Sequence, residues 1–260
     1  MTSARDGDDL LRRIQSSLRA GIARRAKQVG PFLAHFDEHS DNPFRNYAVP
    51  DDGARPSGEE VRALMSEFAE RGRVPRLEYV APAPAVDSAL RTAGFTVDLE
   101  LGLMVLGAAG LREPVPPDQV KVVTALSEED LWSAARAQHL AYGEPGEPTA
   151  SDVARLRGTL EAGGLVLLAL RDGEPAGAVL ALAPNDRLSE IAAVGVAPEH
   201  QRRGIASTLV AEASRAVLTS GSWPYLQTET ANEQRLYGRL GYERIGSLIA
   251  TSHSGGRAQA

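Results

Sequence analysis

The 260-residue sequence predicts an α/β chain built on a mixed sheet and divided into two halves. Three observations carry that expectation. Apolar alternation and helical periodicity follow one another from Val120 to Ala250 in the order βααβββαβαβ. An Asp172-Gly173 pair between two apolar runs marks a hairpin. A proline cluster, Pro114, Pro116 and Pro117, separates this stretch from the residues before it.

In chain order, Leu10, Leu11, Ile14, Leu18 and Ile22 give one face of a helix from about Asp8 to Gln28, with arginines opposite. The segment Pro31–Ser57 reads as loop, because Asp41-Asn42-Pro43 and Pro50-Asp51-Asp52-Gly53 are turn signals. Ser57 caps a helix over Gly58–Arg71. A strand over Pro75–Val80, a helix over Ala85–Ala93 closed by Gly94, and an extended run Phe95–Leu106 follow. The expected organisation is an N-terminal domain over 1–111, a linker over 112–119 and a C-terminal domain over 120–260.

The C-terminal half opens with strand Val120–Thr124 and a helix over Glu128–Ala141 capped by Ser127. A helix from Ser151 to Glu161, strands Leu165–Leu170, Ala176–Leu182 and Leu188–Val196, and a helix from Gly204 to Thr219 come next. Strand Tyr225–Glu229, helix Asn232–Leu240 and strand Tyr242–Ala250 complete the order. The halves echo each other: Pro75-Arg76-Leu77 and Pro224-Tyr225-Leu226 each begin strand, helix, Gly-aromatic (Gly94-Phe95 or Gly241-Tyr242), strand.

Composition narrows the function classes. Hydrophobic residues make up 43% and charged residues 24%, ordinary for a globular chain. A net charge of -6 argues against a nucleic-acid binder. The absence of cysteine removes disulfides, thiolate metal sites and a cysteine nucleophile, and the histidines lack metal-ligand spacing. No apolar run approaches the roughly 18 residues of a membrane span, and Met1–Asp9 lacks a signal-peptide core. A cytoplasmic monomer or homodimer is the expectation.

The segment Val194-Gly195-Val196-Ala197-Pro198-Glu199-His200-Gln201-Arg202-Arg203-Gly204-Ile205-Ala206-Ser207 carries the chemistry. An apolar strand leads through a basic loop to a helix start whose first N–H groups lack internal partners, an anion site by construction. Gly204 admits close approach to the backbone, Ala206 adds little bulk, and Arg202 and Arg203 supply charge. A strand-to-helix turn with solvent-facing arginines is the ordinary structural alternative.

This segment resembles the GCN5-related N-acetyltransferase (GNAT) superfamily. Gln201-x-x-Gly204-x-Ala206 matches its Q/R-x-x-G-x-G/A motif, and Val194-Gly195-Val196-x-Pro198 matches the strand before it. The resemblance covers about Val120 to Ala250. It implies a GNAT fold, acetyl-CoA or another short acyl-CoA as co-substrate, and a splayed strand pair in which Val194 and Val196 pair with the pantetheine arm. Gly195, Ile205 and Ser207 fall in the same cofactor-binding stretch. The resemblance further implies direct attack of an amine on the thioester, with a small-molecule acceptor, and no metal. A non-catalytic acyl-CoA sensor and a protein N-acetyltransferase are the alternatives.

Tyr237, in Asn232-x-x-x-x-Tyr237 followed by Gly241-Tyr242, matches the position where the family places its general acid; beside Leu236 and Leu240 it also suits a core. Asn232 is expected to cap its helix and to bond the cofactor arm. Glu190, four residues before Val194, is the candidate base, with burial expected to raise its pKa; a solvent-facing strand residue is the alternative. Glu229 competes for that role, and His139 and His200 are weaker candidates. The acceptor is expected near Tyr142, Gly143 and Glu144. The N-terminal half lacks the motif, with Leu90 and Ala85 at the echoes of Tyr237 and Asn232. It is expected to be a degenerate GNAT-like domain or an unrelated α/β extension, leaving one active site per chain.

Overall fold

The computed structural model describes residues 4–38, 40–107 and 109–253; Met1–Ser3 and 254–260 lie outside them. It divides into two compact units. One comprises Met104–Arg244, and the other takes the chain up to Leu103 and again from Ile245.

The N-terminal unit begins with α1 (Ala4–Ile22), β1 (Ala26–Val29), β2 (Phe32–His35) and β3 (Tyr47–Pro50). It continues with α2 (Gly58–Glu70), β4 (Arg76–Ala81), α3 (Pro84–Thr92) and β5 (Thr96–Leu106), whose last three residues belong to the other unit. The strand order β1-β2-β3-β4 is completed by β11 (Tyr242–Ser252), whose residues Ser247–Ser252 pair antiparallel with Ala81–Arg76 of β4, and then by β5. Its core is Phe32, Val61, Leu64, Phe68, Leu77, Tyr79, Val86 and Leu90.

The first helix is shorter than its periodicity suggests. It stops at Ile22, and Ala26–Val29 turns through Gly30-Pro31 into β2, with Val29 opposite Phe32. The competing signal was the Gly-Pro turn, with Gly30 at φ 53°. Strands β2 and β3 likewise fall in the stretch expected to be loop. They are four residues each, too short for a period-2 pattern to stand out.

The C-terminal unit holds β6 (Val120–Thr124), α4 (Glu128–Tyr142), α5 (Ala150–Glu161), β7 (Leu165–Arg171), β8 (Glu174–Ala181), β9 (Leu188–Val196), α6 (Ile205–Thr219), β10 (Trp223–Thr228) and α7 (Ala231–Arg239). Its strand order is β10-β9-β8-β7-β6, with β9–β10 parallel and β6 to β9 antiparallel. Two apolar layers cover the sheet. Leu209, Val210, Ala213 and Val217 of α6 pack with Tyr237 and Tyr242 on one face. Leu131, Ala134, Val153 and Leu156 of α4 and α5 pack on the other. The proline-rich 112–119 stretch makes hydrogen bonds within this unit: the Arg112 N–H donates to the Leu240 carbonyl at 2.9 Å, and Arg215 donates to Glu113 at 2.6 Å.

Candidate functional site

The parallel pair β9–β10 is in register only for Trp223↔Leu188, Pro224↔Ser189 and Tyr225↔Glu190. Beyond that point β9 runs on to Val196 and β10 to Thr228, and the two part into a fork. A bulge sets the departure. The β8–β9 register shifts by one residue between Ala178 and Leu180, and Ala193 takes a left-handed φ of 51°, which costs an L-residue about 1–2 kcal/mol. The strain is held by α4. The Gln138 side-chain amide donates to the Ala193 carbonyl at 3.0 Å, and Tyr142 donates to the Val194 carbonyl at 3.4 Å. Gly195 lets α4 approach, since a Cβ there would lie 2.9 Å from that of Ala141. Gly195 pairs with Ala178 on β8, and strand alternation turns the backbone groups of Val194 and Val196 to the fork side.

The carboxyl ends of both fork strands run into helices, so two helix N-termini stand at one edge of the sheet, the usual place for ligands in such folds. They are finished differently. Helix α7 starts with a capping box: Thr230 accepts from the Glu233 N–H, and Glu233 accepts from the Thr230 N–H. Helix α6 has no side-chain cap; its N-cap is Gly204 at φ 83°. The first-turn N–H groups of α6 therefore face outward with the positive helix end behind them. A Cβ on Gly204 would meet nothing within 4 Å, so the conformation and the open approach, rather than packing, call for glycine.

The other loop residues divide by what they can offer. Arg202 and Arg203 are exposed. Ile205 is buried in the core and has only its N–H to give, whereas Ala206 and Ser207 are half-buried on the first turn. Gln201 folds back and donates to the Val196 carbonyl at 3.2 Å, bracing the strand. Asn232 is not the cap of α7; that position belongs to Thr230, two residues earlier, because the turn closes on the Thr230–Glu233 pair. Asn232 is exposed and accepts a hydrogen bond from Arg235.

Glu190 sits at the apex, in the last paired position before the strands part. Tyr225 donates to its Oε2 at 3.3 Å and Gln227 to its Oε1 at 3.1 Å. Burial pushes its carboxyl up, and the two donors oppose that rise without cancelling it. Tyr225 is itself held in the neutral form, by burial first and then by the charge of Glu190. Sequence reasoning missed Tyr225 and Gln227, although their i, i+2 spacing puts them on one face of β10. It also missed Gln138, which carries no motif.

Tyr237 is buried on α7, edge-to-face with Tyr242 at 6.4 Å between centroids. Burial raises its pKa first, with smaller contributions from Glu233, Tyr142 and Tyr242. It is at once a core residue and a phenol within electrostatic reach of the Tyr142 hydroxyl at Val194. Glu229 is exposed just past β10, its own N–H donating to Glu233. His139 lies 2.9 Å from Glu144 and 3.4 Å from Asp152, tying α4 to the loop after it. His200 belongs to a short helical turn beside the basic loop. Among the described residues no group of three or more His, Asp or Glu is placed to hold a metal ion, and no helix is long and apolar enough to cross a membrane.

The N-terminal unit contains a second fork. Strands β3 and β4 run parallel and pair only at Ala48↔Leu77. Here the gap is bridged by a side chain: buried Gln15 of α1 donates to the Pro50 carbonyl at 2.7 Å and accepts from the Val80 N–H at 2.8 Å. The helix after β3, α2, is closed by a capping box of Ser57 and Glu60. A cavity of about 620 Å³ remains beside Gln15, walled by Leu11, Val80 and Val86 and rimmed by Asp8, Arg12, Asp52 and Arg55.

Comparison with known proteins agrees with this architecture. Residues 129–242 match the model of the acetyltransferase (GNAT) family. A GCN5-related N-acetyltransferase from Kribbella flavida superposes with a TM-score of 0.76 at 24% identity, over 95% of this chain and 97% of that one. Another from Sphaerobacter thermophilus gives 0.66 at 17%, over 85% and 76%. A tandem GNAT protein from the clavulanic acid biosynthesis pathway gives 0.61 at 15%, over 98% of each chain. At these identities the likeness is one of fold. No match is found among curated proteins.

Proposed function

From the premise that residues 129–242 form a GNAT-family domain within a two-part GNAT-like chain, we propose that the β9–β10 fork takes acetyl-CoA and transfers its acetyl group to a primary amine of a small molecule. The observation that carries this reading is a recessed carboxylate at the apex of a fork whose mouth is an uncapped helix start. The residues fit the co-substrate. The N–H groups of Ile205, Ala206 and Ser207 would receive the pyrophosphate, with Arg202 and Arg203 at its flank. The Val194–Val196 backbone would pair with the pantetheine arm as an added strand.

In the transfer, the amine nitrogen forms a bond to the thioester carbonyl carbon and the carbon–sulfur bond breaks. Glu190, ionised, takes the proton the amine loses, directly or through water; its raised pKa makes it a stronger base than an ordinary carboxylate. Tyr237 stays protonated and donates to the departing sulfur. Its raised pKa, against about 8.5 for a free thiol, makes it a hydrogen-bond donor to the thiolate rather than a full proton source. The acceptor wall would be Tyr142, Gly143 and Glu144 at the end of α4.

A thiol-release assay with acetyl-CoA against a panel of amines tests the reading, and a chain without cysteine adds no background thiol. Amine-dependent release supports it. Binding of acetyl-CoA without turnover of any amine would turn the reading to a sensor.

A further inference from the structure

We propose that Gln138 is a positioning residue that holds the donor-binding part of β9 in its bulged course and links it to α5. The inference rests on the reading of this fork as the acyl-CoA site. Gln138 is almost fully buried, and both ends of its amide are used. Its Nε2 donates to the Ala193 carbonyl at 3.0 Å, and its Oε1 accepts from Arg155 Nη2 at 3.0 Å. Arg155 can only donate, so the oxygen must face it and the nitrogen must face the strand.

The hydrogen bond falls on Ala193, the residue with positive φ at the bulge. The next contacts of α4 with β9 follow at helical spacing: Ala141 under Gly195 and Tyr142 at the Val194 carbonyl. Helix α4 thus grips consecutive residues of β9, with the shorter of its two hydrogen bonds at the bulge. Arg155 carries the hold onward to α5, and its charge also acts on the Tyr142 hydroxyl. Strand geometry on the donor side and the wall on the acceptor side are joined through one amide.

The test compares Gln138→Met, of similar length but unable to hydrogen-bond, with Gln138→Glu, which still accepts from Arg155 but cannot donate to Ala193. Two readouts are taken: amide hydrogen exchange at residues 193–196, and steady-state kinetics. Both variants are expected to exchange at least about tenfold faster there and to raise KM for acetyl-CoA about tenfold, with kcat at saturating donor within about twofold of the parent. Arg155→Met, which keeps the Ala193 bond, should move KM less than either. Unchanged exchange at 193–196 would overturn the inference, as would faster exchange with an unchanged KM. If the parent protein does not bind acetyl-CoA, the functional reading fails, and the exchange arm still decides whether Gln138 shapes the strand.

Discussion

The chain builds a parallel fork twice and finishes it in opposite ways. In the C-terminal unit β9 and β10 part after Glu190, the following helix is left uncapped at Gly204, and the strand backbone of Val194 and Val196 faces the gap. In the N-terminal unit β3 and β4 part after Leu77, α2 is closed by Ser57 and Glu60, and Gln15 spends its amide on the two strand edges. A side-chain amide can stand in for a peptide group, and Gln15 uses both ends of its amide to bridge the two strand edges. The difference teaches that a fork alone is not a donor site: one gap is bridged from strand to strand by a buried amide, the other stays unbridged and ends at an uncapped helix start.

The largest effect separating the two forks should come from Glu190→Gln. Loss of a general base lowers kcat by about 10²- to 10⁴-fold. The parent's acid limb should lie above the ordinary glutamate value of about 4.3, because burial raises this carboxyl, and the variant should lose that limb in a pH–rate profile. Stability moves the other way. A carboxyl raised in the fold binds its proton more tightly there than in the unfolded chain. Its contribution is then favourable at low pH and falls as pH climbs through the window between the two values. Glu190→Gln should therefore raise Tm at neutral pH while lowering turnover, and a lowered Tm would contradict the assignment of a desolvated charge.

Tyr237→Phe should lower kcat by about 10²-fold with the dissociation constant for CoA unchanged. An unaltered kcat would leave Tyr237 as a core residue only. The smallest functional effect belongs to the N-terminal fork. Gln15→Leu strips buried partners from Pro50 and Val80 and should cost about 1–3 kcal/mol in a denaturant melt, while acetyl-CoA affinity stays as it was. A drop in affinity would show that the two forks are not independent.

The C-terminal unit was legible because its signals are local. The capping residue Ser127, the Asp172-Gly173 turn and the Gln201–Ala206 loop each fix an element within a few residues. Glu190 could be picked out as a carboxylate four residues before Val194 in a mostly apolar strand, where burial pushes its carboxyl up. Its donors Tyr225 and Gln227 lay hidden, because which residues meet across parallel strands depends on register. Gln138 and Gln15 were silent for the same reason: their partners are 55 and 65 residues away. Strands β1, β2 and β3 were missed because four-residue elements leave too little pattern to count. The echo of strand, helix and Gly-aromatic was visible, but the boundaries of the units inside β5 and β11 were not, since a division inside a strand has no compositional mark.

The central claim is that one fork per chain receives acetyl-CoA, at the Gly204 helix start. Calorimetric titration of the parent and of Gly204→Val tests it directly. The parent should bind one equivalent per chain. A β-branched residue is strained at φ 83° and places methyl groups where the pyrophosphate would approach, so the variant should lose at least about tenfold in affinity. A variant that still binds one equivalent with parental affinity would contradict the account.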